Sequence, residues 1–339
     1  MLVAPEAMLA QVAALAGRAL LEPKAVAKAR EVCLALPEFS HCACLECPLD
    51  TCGEDADLLV CVPARARALL SDVAAERPAW SNVRGFAESW SSASLPFLSQ
   101  VPFIWLEFDL PRGRPAPPEP LLFCCLQPDF LQDPISYGDL ASPGRSRLAA
   151  RANVAATLRT VAELPEAVRA CLDSCLNAIP ADGYALHVAS LTPRGIAAVR
   201  LVLTIPVVSL RSYLSAIGWP GDFRELKKSL LSLGVVSGRF GIQLDVGHSV
   251  GATLGLQFHR SHRDPSWPPL LQRFVGSGLC SASRAQHLLQ WLGDGLGVLP
   301  NRRFPVSIRR ELELKVQHTT GVPDRGKAYL GFGCDFRLI

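Results

Sequence analysis

Hydrophobic and polar positions alternate with a period of two along several stretches of this chain, and with a period near 3.6 along others. The two periods sort it into strands and helices. The clearest alternation is Phe103-Ile104-Trp105-Leu106-Glu107-Phe108-Asp109-Leu110. Ile104, Leu106, Phe108 and Leu110 fall on one face, and Trp105, Glu107 and Asp109 fall on the other. A large aromatic and two carboxylates thus share the face turned away from the core. The closing stretches behave alike: Ile308, Arg310, Leu312, Leu314 and Val316 oppose Arg309, Glu311, Glu313, Lys315 and Gln317. Lys327 and Tyr329 oppose Ala328, Leu330 and Phe332. In the hairpin over 239–259, Phe240, Ile242, Leu244 and Val246 point in, while Gln243 and Asp245 point out.

The helical period sets the rest. Residues 1–37 read as two helices split by Pro23, and 38–55 as irregular and cysteine-rich. A helix is expected over 83–90. The run 111–120 is too rich in proline for regular structure, and 121–126 is a partner strand. Residues 127–145 read as loop, and 146–178 carry long helical patterning. Strands over 184–191 and 197–205 turn at Pro193 and Gly195. Helices over 210–217 and 223–233 flank Gly218-Trp219-Pro220-Gly221-Asp222, with Asp222 as N-cap of the second. Short helices over 270–275 and 283–292 precede closing strands over 307–317 and 327–336. Strands grouped between helices predict an α+β fold, antiparallel sheets packed with helices, in two domains, 1–145 and 146–339.

Composition narrows the function. The chain has 339 residues, 49% of them hydrophobic, enough for a sizeable core. A net charge of +3 offers no general case for nucleic acid or an anionic membrane. The start lacks the basic-then-apolar pattern of a signal peptide. The longest uncharged window, 89–106, is broken by Pro96 and Pro102, so no membrane span is expected. The cytoplasm is the expected location, and there the twelve cysteines should be mostly reduced.

Four segments carry candidate chemistry. Cys42, Cys44, Cys47 and Cys52, with His41 adjacent, could close around a structural Zn²⁺, although packed cysteines are the plainer reading. Gly247-His248-Ser249-Val250-Gly251 matches a nucleophile elbow, but alternation continues after it, which favours a hairpin turn. His259, His262 and Asp264 have the residue types of a non-haem iron triad, yet crowd one loop. The outward polar row is either plain exposed sheet or a surface for an extended peptide. Glu107 and Asp109 lean the same way from one strand, so they read as partners for basic groups rather than as an acid–base pair.

A series of motifs keeps one order along the chain: PFIWLEFDLP (102–111), AVRLVL (198–203), YLSAIGWPGD (213–222), LDVG (244–247), LGLQF (254–258), the 267–280 segment ending GLC, LLQWLG (288–293) and KAYLGF (327–332). In these it resembles an uncharacterised bacterial family that includes the homologous peptide-binding proteins of crocagin biosynthesis. The resemblance implies a protein that grips a ribosomally made precursor peptide, chiefly its leader, and presents the core for modification or cyclisation. Its partners would be that peptide and the modifying enzymes of the pathway, not nucleic acid or membrane, with a homodimer left open. The peptide-binding set, read from the outward polar row with Trp219 added, is Trp105, Glu107, Asp109, Arg200, Trp219, Asp245, Lys327 and Tyr329. No catalytic residue carries over, and Gln257 stands where the family pattern has an acid. The rival expectation is a metal-dependent enzyme that oxidises or cyclises the peptide through the cysteine or histidine cluster.

Overall fold

A computed structural model describes residues 2–50, 56–92, 101–110, 119–126, 154, 157–158, 164–300 and 303–335. Strands form where alternation is strongest: β1 (Cys42–Pro48), β2 (Asp57–Pro63), β3 (Phe103–Phe108), β4 (Leu121–Cys125), β5 (Tyr184–Ser190), β6 (Val199–Pro206), β7 (Arg239–Val246), β8 (Val250–His259), β9 (Gly293–Gly297), β10 (Val306–Thr319) and β11 (Val322–Asp335). All neighbours pair antiparallel in the order β11-β1-β2-β3-β4-β5-β6-β7-β8-β10, and β10 pairs back onto β11. Ten strands therefore close into a barrel. β9 extends the sheet beside the start of β10, from Val306 opposite Gly297 to Arg310 opposite Gly293.

Helices set out in full among the described residues are α1 (Pro5–Leu20), α2 (Pro23–Leu34), α3 (Arg67–Ala75), α4 (Ser81–Ser91), α5 (Glu166–Asn177), α6 (Val207–Ala216), α7 (Phe223–Ser232), α8 (Trp267–Gly276) and α9 (Ala282–Trp291). Their apolar stripes supply Met8, Phe86, Trp90, Leu172, Leu210, Leu226, Phe274 and Trp291 to one continuous core. The strands meet them with Leu45, Val60, Ile104, Leu106, Leu201, Ile242, Leu256, Leu314 and Leu330. A separate buried cluster holds Cys42, Cys44, Cys61, Phe103, Trp105, Leu121, Phe123 and Tyr329. These are the alternate positions of the same strands. The sheet therefore has two buried faces, one against the helices and one lining the lumen. Among the described residues no helix is long and apolar enough to cross a membrane.

Two expectations change here. A division at 145/146 would cut one closed sheet: Phe123 of β4 pairs with Ala189 of β5, and Cys42 of β1 pairs with Gly333 of β11. Both halves present the same alternation to one lumen, and closure leaves the barrel strands without free edges. Residues 42–48, expected to be irregular, form β1, because Cys42 and Cys44 alternate with Ala43 and Leu45 and behave as small apolar side chains on a strand buried on both faces.

The Asp222 cap forms as expected, its Oδ1 accepting from Arg224 N at 2.7 Å. Asp222→Ala should cost about 1 kcal/mol. It should appear as a lower denaturant midpoint with an unchanged slope.

Candidate functional site

The row Trp105, Glu107, Asp245, Lys327 and Tyr329, expected to face outward, faces inward. Glu107, Lys315 and Tyr329 are only 5%, 2% and 8% exposed. The apolar faces need cover and the helices provide it from outside, so closure can only turn the polar faces into the lumen.

Charges in the lumen are organised as pairs. Arg194, in the turn after β5, donates from Nε to Asp109 Oδ2 at 2.7 Å and from Nη2 to Glu107 Oε1 at 2.5 Å. Arg200 of β6 grips Asp245 of β7 with two hydrogen bonds, at 2.8 and 3.0 Å. Glu46 of β1 accepts from Lys327 and lies 3.5 Å from Lys315 Nζ. Burial opposes the Glu46 charge, but Lys315 and Lys327 outweigh it and hold the carboxyl well below the usual range. Burial also works against Lys327, which Glu46 nevertheless raises. Lys315 goes the other way: burial lowers it, and Lys327 and Arg200 add to that. Glu46–Lys327 is accordingly the charged pair. Lys315 leans on the Tyr329 hydroxyl, with Nζ 4.8 Å from the ring centroid.

Towards the other end, burial pushes Glu313 up to about 8. Burial pulls His259 down to about 3 and His187 down to about 4. Glu313 Oε2 lies 3.3 Å from His259 Nδ1. At neutral pH these states fit together: a protonated Glu313 lies beside a neutral imidazole. Glu313 Oε1 and Gln257 Oε1 are buried and find no hydrogen-bond partner among the described residues. Between them lies a cavity of about 110 Å³, walled by Trp105, Phe123, Tyr329, Leu59 and Val202 and faced by Glu107, Gln243, Gln257, His187, His259 and Glu313. An engineered apolar cavity of about 150 Å³ holds benzene, so this smaller space takes the edge of an aromatic ring.

With the lumen described, solved structures supply a likeness. The barrel resembles those of solved prenyltransferases. Prenyltransferase PriB in its apo form superposes with a TM-score of 0.53 at 13% identity, covering 96% of this chain and 94% of that one. The PriB binary complex with product diphosphate gives 0.50 at 11%, covering 97% and 96%. At this identity the likeness is one of fold. No family model matches the chain, and no curated protein matches it in sequence.

The structure gathers Trp105, Glu107, Asp109, Arg200, Asp245, Lys327 and Tyr329 in or at the mouth of the lumen. Trp219 lies elsewhere: it packs in the outer core between α6 and α7, with Nε1 donating to Ala252 O at 3.1 Å and its ring beside His318. Glu107 and Asp109 support Arg194, while Arg200 takes Asp245. Arg194 lacked any signal in the sequence, because it sits in a turn. Glu46 was legible as the next alternate position after Cys42 and Cys44.

The other motifs separate. Cys42 and Cys44 face the lumen, Cys47 faces the helices, and Cys52 lies outside the described residues. Ser249 sits exposed in the β7–β8 turn, where Gly247 N donates to Ser249 O. His259 turns to Glu313, His262 bonds Glu311 at 2.8 Å, and Asp264 bonds Ser266 N at 2.8 Å, so no triad forms. The carboxylates of Glu46, Asp57 and Glu107 lie within 4.8 Å of one another, but Lys327 and Arg194 already hold two of them.

Proposed function

We propose that the lumen receives the N–H edge of one aromatic side chain, an indole above all, and that this side chain belongs to a peptide. The observation that carries this is the pair of unpartnered acceptors, Glu313 Oε1 and Gln257 Oε1, on the wall of a small cavity lined by aromatic side chains. A buried acceptor without a partner is costly, and a guest's N–H removes that cost. The peptide context rests on the ordered motif series. On this reading the chain is a binding protein for a ribosomally made precursor, presenting an aromatic residue of it for modification.

A second reading, prenyl transfer to that ring, is favoured by the likeness to PriB and by four cations in the lumen. The charge balance weighs against it. Arg194, Arg200, Lys315 and Lys327 stand against Glu46, Glu107, Asp109 and Asp245, with burial disfavouring the charge on Lys315, and Arg260 at the cavity wall faces Asp264. Burial, with Glu46 and Glu107 nearby, also lifts Asp57 to about 7, so part of a fifth negative charge is present at neutral pH. A diphosphate would have to break buried ion pairs to be held, whereas a neutral ring would not.

Calorimetry separates the two. Tryptophan amide and Trp-containing peptides should bind, and Trp105→Ala should weaken them about tenfold or more, as expected for a buried aromatic anchor. Inorganic diphosphate and dimethylallyl diphosphate should not bind. Diphosphate binding with no response to the indoles would overturn the proposal in favour of transfer.

A further inference from the structure

We propose that His41, Cys42 and Cys61 form a site for a thiophilic metal ion, Zn²⁺ in the first place, at the β1–β2 side of the barrel. The sequence suggests metal through cysteines close in the chain. The fold replaces them with a residue from the next strand. Ala43 pairs with Val60, and continuing that register one step sets Cys42 against Cys61. Both thiols belong to the lumen cluster and are fully buried. A ligand nitrogen of His41 and the two sulfurs all lie within 4.8 Å of one another. A tetrahedral zinc ion, with sulfur at about 2.3 Å and nitrogen at about 2.0–2.1 Å, sets its donors about 3.5–3.8 Å apart, and rotation of the three side chains can bring them to that spacing.

Two further observations point to a ligand. The His41 ring lies against the Cys42 thiol, and its buried Nδ1 makes no other hydrogen bond among the described residues. The backbone around the triangle is held independently of any ion. The Ser40 hydroxyl is shared between the carbonyls of Cys42 and Cys61, at 2.8 and 2.6 Å, and Cys334 N donates to His41 O at 3.0 Å. The charges also suit the place. Two thiolates and a neutral imidazole balance a divalent cation, so the complex is neutral beside Phe103 and Trp105. Without an ion, burial keeps the Cys42 thiol protonated. A metal takes both cysteines as thiolates, and three protein ligands leave a fourth coordination position for water.

The test uses full-length protein, reduced, freed of metal and titrated anaerobically with Co²⁺. The expected result is a thiolate-to-cobalt charge-transfer band that saturates at one ion per chain and is bleached by Zn²⁺. Cys61→Ser should abolish it. His41→Gln, at a half-buried position that the fold should tolerate, should weaken cobalt binding more than about tenfold. Cys44→Ser should leave it intact. Absence of the band in the wild type, its survival in the Cys42→Ser/Cys61→Ser double variant, or its loss in Cys44→Ser with native near-ultraviolet circular dichroism would overturn the proposal.

Discussion

Glu46→Gln should lower the stability of the protein by about 3–5 kcal/mol, the cost of leaving a buried cation without its counter-ion. Glu46 is 3% exposed and Lys315 2%, so water cannot replace the carboxylate. Lys327 loses the partner that holds it charged, and Lys315, already disfavoured by burial, loses its nearest anion. Guanidinium unfolding should show a lower midpoint. The double variant Glu46→Leu/Lys327→Met should recover much of the loss, since matched apolar replacement of a buried pair is often near neutral. If Glu46→Gln matches the wild type, the pair carries no stability.

The same pair sets an acid limit. The folded pKa of Glu46 lies below the unfolded value of 4.5. Its contribution is therefore complete above 4.5 and fades as pH falls through the lower folded value. Glu46→Gln should lose that part of the acid sensitivity.

Glu313→Gln should have the opposite signature, stabilising the protein above pH 8. Here the folded pKa is raised from 4.5 to about 8. Below 4.5 the group is protonated in both states. Between 4.5 and about 8 the unfolded chain releases a proton that the folded protein keeps, so stability falls as pH rises, by at most about 1.4 kcal/mol per unit. Above 8 the folded protein carries a buried carboxylate beside a neutral His259. A glutamine keeps the acceptor oxygen and carries no charge. Urea midpoints at pH 5 and pH 9 check this: the variant should gain on the wild type between them, and equal midpoints at pH 9 would remove Glu313 as a buried titrating group. Because Gln retains Oε1, binding of an indole guest at pH 7 should persist in Glu313→Gln and fall in Glu313→Leu.

Much of this fold was legible along the chain. The strand from Phe103, the hairpin from Arg239, the two closing strands and the cap at Asp222 all lie where local patterning puts them. The site was legible residue by residue but not as a place. Trp105, Glu107, Arg200, Asp245, Lys327 and Tyr329 stand out because a polar or aromatic side chain recurs at alternate strand positions. Trp219 stands out by residue type alone, and it packs outside the barrel. Arg194 meets Glu107 across a sequence separation of 87 residues, and Lys327 meets Glu46 across 281. No local pattern encodes such distances.

The alternation of apolar and polar positions, a local property of the backbone, determined which residues are strands and which face each takes. It could not say which face meets water, because a period of two looks the same on an open sheet and inside a barrel. Only closure decided that. Once β10 pairs with β11, the helices cover the apolar face and the polar face has nowhere to go but inward. There, out of water, its charges must pair with one another. The same closure that makes these residues a chamber therefore cancels their charges and leaves Glu313 and Gln257 with acceptors for a guest to fill.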